Sequence, residues 1–244
     1  RLFATILAIS TPDHQEPTVA QAVIVARNEG AQLLLIQTTS ADDEGWSENR
    51  NHAVQAWFDE TLDLAGVSGE IRFVQADLAQ LIHSRANLVD LLVLDPALLP
   101  HEDENAGAIL EKCTRPVLLV PGASRPVERI LLLYDGRAPA HEALFAAAYL
   151  AEMWRCKVVL LAEPGAAPQA LDKAAPYLEM HEEFPESILA GPLAPEAVFQ
   201  TAVEHQCDLI IVGGYSKGSL SKMALAAWLR SAAQDTVRPL LICP

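Results

Sequence analysis

The residues with chemical potential fall into one glycine- and serine-rich loop, two histidine–carboxylate clusters and a few acids that follow apolar runs. The loop comes after the apolar run Leu209–Val212 and reads Gly213-Gly214-Tyr215-Ser216-Lys217-Gly218-Ser219-Leu220-Ser221-Lys222. Glycine lets the backbone approach a ligand closely, and free N–H groups at a helix start favour phosphate. His101 with Glu102 and Glu104, and His181 with Glu182 and Glu183, bring together donors that can bind a divalent ion. Neither group has the spacing of a zinc or calcium site, so both read as solvated acidic loops and no metal is expected. His141 reads as a surface residue one or two turns into a helix after Asp135, rather than as a base. The chain has no G-x-S-x-G elbow and no G-x-x-x-x-G-K-[ST] loop, and the stretch from Gly213 to Gly218 lacks the third glycine of a dinucleotide fingerprint. No catalytic residue is assigned, and the chain is read as not an enzyme.

Loops of this kind need a scaffold to hold them. The sequence alternates short continuous apolar runs with helical patterns. In the first half the runs are Phe3–Ile9, Ala31–Gln37, Glu70–Gln75, Leu91–Leu94 and Val117–Val120. Helices are expected over Thr18–Glu29, Trp46–Leu64, Leu78–Arg85 and Ala106–Cys113, with Gly30 and Gly66 as stops. Continuous apolar strands imply burial on both faces, and alternation with helices implies a mainly parallel sheet. In such a sheet ligands bind beyond the carboxyl ends of the strands, where the strand order reverses.

The chain also repeats itself. Ile6–Ile9 resembles Ile130–Leu133, Ala26–Leu35 resembles Ala151–Leu160, and Asp90–Val93 resembles Asp208–Ile211. The stretch Arg115–Pro121 resembles Arg238–Pro244. The four offsets are 124, 125, 118 and 123 residues, in unbroken order, which indicates duplication. Residues 1–122 and 127–244 are the two expected domains, joined across a Gly-Ala-Ser-Arg-Pro linker. The second half repeats the plan with a shortened middle broken by prolines, among them Pro168 and Pro176.

Composition narrows the partners. With 244 residues, 51% of them hydrophobic, the chain can build a substantial core. Its net charge of −15 argues against nucleic acid and anionic lipid, which an acidic surface repels. No apolar run is long enough to span a membrane. The four cysteines form no C-x-x-C pair and read as buried reduced thiols, so the cytoplasm is the expected compartment. Trp57, Trp154 and Trp228 read as packing residues on helices, with Trp46 in or beside one.

The loop from Gly213 resembles the phosphate loop of the universal stress protein family. Gly213 falls on the first glycine, Lys217 on the basic residue and Leu220-Ser221-Lys222 on the run that follows it. Asp135, after the first strand of the second half, falls on the family's acidic residue at the nucleotide. The resemblance covers the chain twice. It implies two doubly wound parallel five-stranded sheets, paired as an intrachain pseudo-dimer through Val117–Val120 and Leu240–Cys243. It implies ATP or AMP as the cofactor of the second half, contacted by Asp135, Gly213, Ser216, Gly218 and Ser219.

Departures from the motif shift the expected function. Ser216 stands for the second glycine, and Ala226 and Ala227 stand for the Gly-Ser pair. In the first half Thr11 replaces the acid and Asp95 replaces the glycine after the fourth strand. That half also carries the acidic stretch His101-Glu102-Asp103-Glu104, and its loop is five residues shorter than its counterpart. The chain therefore reads as a non-enzymatic stress-response protein, a sensor or partner-binding module with largely degenerate nucleotide sites. An ATP- or AMP-binding switch and the soluble regulatory part of a transporter are the alternatives. The expected partner is an unidentified protein, with an adenine nucleotide and a second copy of the chain as further candidates.

Overall fold

The computed structural model describes residues 1–11, 15–39, 48–99, 113–136, 140–163, 165, 167–181, 187–190, 193–213, 227–232 and 238–244. The first half contains β1 (Thr5–Ser10), α1 (Gln15–Glu29), β2 (Gln32–Thr39), α2 (Glu48–Ala65), β3 (Ser68–Gln75), α3 (Leu78–Arg85), β4 (Leu91–Leu94) and β5 (Val117–Leu119). The second contains β6 (Arg129–Leu133), α4 (His141–Trp154), β7 (Lys157–Ala162), α5 (Ala167–Met180), β8 (Ser187–Ala190), α6 (Pro195–Glu204), β9 (Leu209–Gly213) and β10 (Leu240–Cys243). Residues 227–232 are helical as well. The helix expected near 106–113 lies, apart from Cys113, outside the described residues.

Local sequence fixes the helix ends. Gly30 and Gly66 adopt φ of +60° and +66°, and the next residue's N–H reaches back five positions, Ala31 to Ala26 and Val67 to Leu62. This left-handed cap satisfies a carbonyl that the helix end leaves open. Arg155 and Gln206 take the same conformation after α4 and α6, with φ of 57° and 54°. Asp77 caps α3 by accepting from the Gln80 N–H at 3.1 Å. Pro176 sits inside α5 rather than interrupting it.

The strands form one ten-stranded sheet in the order β3-β2-β1-β4-β5-β10-β9-β6-β7-β8. Within each half the five strands are parallel, with the same order mirrored about the centre. The two expected five-stranded parallel sheets join, through the expected pairing of β5 with β10, into one continuous sheet. These two strands pair antiparallel, Leu240 with Leu119, Leu241 with Leu118 and Ile242 with Val117. Both are short and buried, and pairing removes two open sheet edges.

Helices cover both faces. Ile6, Ala8, Leu33, Leu35, Ile130 and Leu132 face the layer that contains α1, α2, α4 and α5. Leu7, Ile9, Leu131 and Leu133 face the layer with α3, α6 and segment 227–232. All four cysteines are buried in these layers, and none forms a disulfide. Among the described residues no helix is long and apolar enough to cross a membrane.

Candidate functional site

The carboxyl edge of the sheet has two switch points, between β1 and β4 and between β6 and β9. In the second half, β6 ends at Leu133 and passes through Tyr134 and Asp135 into Gly136, which has φ of +76°. Tyr134 is fully buried, and its backbone N–H donates to the Leu161 carbonyl at 3.1 Å. Its ring lies 5.9 Å from that of His141, the first residue of α4. His141 therefore sits at the helix start, not further along. Gly213 ends β9 directly beneath the same turn. A Cβ there would come within 2.9 Å of the Ala143 side chain, so the glycine permits α4 to close onto the sheet.

Rings continue outward from this point. His141 meets Phe145 at 6.1 Å, Phe145 meets Tyr177 at 4.8 Å, and Tyr177 meets His181 at 4.9 Å. His181 is held by Glu152, with Nδ1 2.7 Å from Oε2, so it is part of packed structure rather than a solvated loop. Lys173 donates to the Gly136 carbonyl and ties α5 to the same turn.

The hydroxyl of Tyr134 has no hydrogen-bond partner among the described residues. Burial, then the charge of Asp135, pushes its pKa up. A buried hydroxyl that makes no bond contributes only its desolvation cost. Tyr134→Phe is therefore expected to be neutral or to raise stability by about 1 kcal/mol in urea unfolding. A loss of more than about 1 kcal/mol would mean that the hydroxyl is satisfied in solution.

The first half fills the same position differently. Continuing the registers of β1 with β2 and β4 puts Gln37, Ser10 and Asp95 side by side, where the second half has Ala162, Tyr134 and Gly213. Ser10, Gln37 and Asp95 are all buried, and Thr18 on α1 is buried on the same face. Ser10 donates to Gln37 Oε1 at 3.1 Å. Asp95 accepts from the Ala97 N–H at 2.7 Å and caps a short turn at Pro96–Leu98. Gln37 Nε2 and Thr18 Oγ1 have no partner among the described residues. The cluster offers an amide donor, two hydroxyls and a carboxylate, groups ordinarily satisfied by ordered water or a small hydrogen-bonding molecule.

Of the five residues expected at a nucleotide, Asp135 and Gly213 lie on this edge, on the adjacent strand ends of β6 and β9. Ser216, Gly218 and Ser219 lie outside the described residues, as do the His101–Glu104 stretch and Glu182 and Glu183. No cluster of three metal-ligating side chains occurs among the described residues. Trp154 and Trp228 pack as expected, Trp154 against Glu29 and Trp228 against Phe199 with ring centroids 6.2 Å apart.

No family sequence model matches the chain, and no curated protein sequence does. Solved structures do. A universal stress protein from Archaeoglobus fulgidus DSM 4304 superposes with a TM-score of 0.69 at 15% identity, over 100% of this chain and 96% of that one. The chain has the universal-stress-protein fold. A structure described as a putative universal stress protein from Pseudomonas aeruginosa UCBPP-PA14 gives 0.68 at 17% identity, covering 99% and 93% of the two chains. The cytoplasmic domain of a prokaryotic cation chloride cotransporter gives 0.53 at 15% identity, covering 98% and 94%. In this chain the universal-stress-protein fold carries two unlike strand edges at its switch points, with buried Tyr134 beside Gly213 in one half and buried Ser10 beside Asp95 in the other. Sequence reasoning missed Tyr134, Ser10 and Gln37. The available signal was positional, since each ends or follows an apolar run at the edge where ligands bind.

Proposed function

We propose that this chain is a non-enzymatic regulatory protein of the universal-stress-protein type, acting in the cytoplasm as a sensor or partner-binding module in a stress response. Its two halves, residues 1–122 and 127–244, act as a fixed pair, and their nucleotide sites are largely degenerate. The observation that carries this reading is the second-half switch point. Tyr134 is buried at the strand end beside it, and α4 seats directly on Gly213. In open α/β sheets that position is where a ligand enters. Four buried cysteines that form no disulfide support a reducing compartment.

A thermal-shift titration with ATP, ADP and AMP, with and without Mg²⁺, tests the proposal. A ligand at about 100 times its dissociation constant adds roughly 2.7 kcal/mol of stability. No shift is expected at millimolar nucleotide. A clear shift that Asp135→Ala abolishes would overturn the proposal in favour of an ATP- or AMP-driven switch at Asp135, Gly213, Ser216, Gly218 and Ser219.

A second reading, the regulatory domain of a transporter, is favoured by the whole-length likeness to the cytoplasmic domain of the cation chloride cotransporter. The complete reading frame separates the two, since only the transporter reading requires apolar spans fused to this chain.

A further inference from the structure

At the opposite end of the first half, a groove of about 510 Å³ opens at the amino-terminal ends of β1, β2 and β3. Its origin is the brevity of α3. That helix has eight residues, of which Leu81 and Ile82 join the core, and the chain then turns through Ala86–Leu88 into β4. Leu34 on β2 is left half-buried. In the second half the matching residue is Val159, buried in the same core layer as Val198 and Phe199 of α6. Half-buried Leu34 and buried Val159 are thus a local difference between the halves.

Its lining divides by chemistry. Leu34 and Val89 give it an apolar floor, and Leu88 stands on the rim with 69% of its surface exposed. Arg72 and Arg85 line it too, and both are exposed. Arg72 is held by Glu70 at 2.6 Å, whereas among the described residues Arg85 pairs with no carboxylate. One uncompensated guanidinium beside an apolar floor is unusual in a chain of net charge −15. A guanidinium presents a planar fork that fits a carboxylate. The volume lies within the range of small-molecule sites, about 300–1,000 Å³. The chain's net charge of −15 disfavours a polyanion or an anionic membrane and leaves a singly charged ligand.

We propose that this groove binds a free, singly charged amphipathic anion such as an acyl carboxylate. The acyl chain lies along Leu34 and Val89, and the carboxylate meets Arg85, with Arg72 beside it. The site lies at the far end of the strands from both switch points and does not depend on what they bind.

Calorimetric titration with decanoate below its micelle concentration tests this on the intact chain, with decanol and anionic phosphatidylglycerol vesicles as comparison ligands. Decanoate should bind one to one, and decanol about tenfold or more weaker, because it forgoes the charge-assisted contact. Arg85→Glu should weaken decanoate by at least about tenfold, and Arg85→Lys should restore part of that loss. Arg85 is exposed, so both variants should melt as the parent does. Equal affinity for decanol, no effect of Arg85→Glu, preference for the vesicles, or no decanoate binding would each overturn the proposal.

Discussion

Leu119→Asp should cost about 4 kcal/mol or more, a large part of the 5–15 kcal/mol that holds a typical domain together. Leu119 is fully buried on β5, where it pairs with Leu240 of β10 across the only antiparallel ladder among the described strands. A carboxylate placed there would lose its hydration and find no cation. The damage would reach both halves, since β5 pairs with β4 on one side and β10 with β9 on the other. Leu241→Asp, on the opposite face of the same seam, should act alike, because Leu241 is 2% exposed. Leu64→Asp is the control, as Leu64 is 83% exposed on α2 and should tolerate the change within about 0.5 kcal/mol. Urea unfolding followed by far-ultraviolet circular dichroism measures all three. Near-neutral behaviour of the two seam variants would mean that the halves do not join through β5 and β10 in solution.

That seam was legible before the fold was seen. The strands carry the same Arg-Pro flank, at Arg115-Pro116 and Arg238-Pro239, and each is a short, wholly apolar run. Parallel strands buried on both faces leave a strong signature, so β1, β2, β4, β6, β7 and β9 could be placed from the sequence. Helix stops at Gly30 and Gly66 were equally plain, because glycine marks left-handed caps. Arg155 and Gln206 adopt that conformation with no glycine to announce it, since the surrounding contacts override local preference. Pro176 misled for the opposite reason, as a helix can retain a proline when neighbouring packing holds it. The site was less legible than the fold. Asp135 and Gly213 could be matched to a motif, but nothing local says that Tyr134 turns its ring inward under α4. Gly213 itself has a packing role that a phosphate-loop reading does not anticipate. The polar row at Ser10, Gln37 and Asp95 depends on three strands far apart in sequence, and only sheet register brings them level.

A second large effect is expected at Glu29, where a single buried carboxylate joins the two halves on the α1–α4 face. Glu29 is 5% exposed at the end of α1. One oxygen, Oε2, accepts from the Leu2 and Phe3 N–H groups at 3.0 and 3.3 Å and from the Tyr149 hydroxyl at 3.1 Å. The other accepts from the Trp154 indole N–H at 2.8 Å. Tyr149 and Trp154 both belong to α4, so these two bonds tie a first-half helix to a second-half helix. Burial, then the negative charge of Glu29, raises the Tyr149 pKa, as expected for a phenol that donates to a carboxylate. Glu29→Ala would strand four donors at once, and each buried unsatisfied group costs about 1–3 kcal/mol, less where water can enter the space. A net loss of about 3 kcal/mol is expected. Glu29→Gln keeps one acceptor but replaces the other with a second donor facing donors, so it should recover less than half of that loss. Leu118 and Leu241 of the seam lie with Trp154 around a small void between α1 and α4, so the loosening should be felt there first. With Trp46, Trp57 and Trp228 replaced by Phe, Trp154 fluorescence reports it, because an indole released from a buried carboxylate into water should shift its emission to the red. A Glu29→Ala protein with unchanged stability and unchanged emission would show that Glu29 does not help to hold the two halves together.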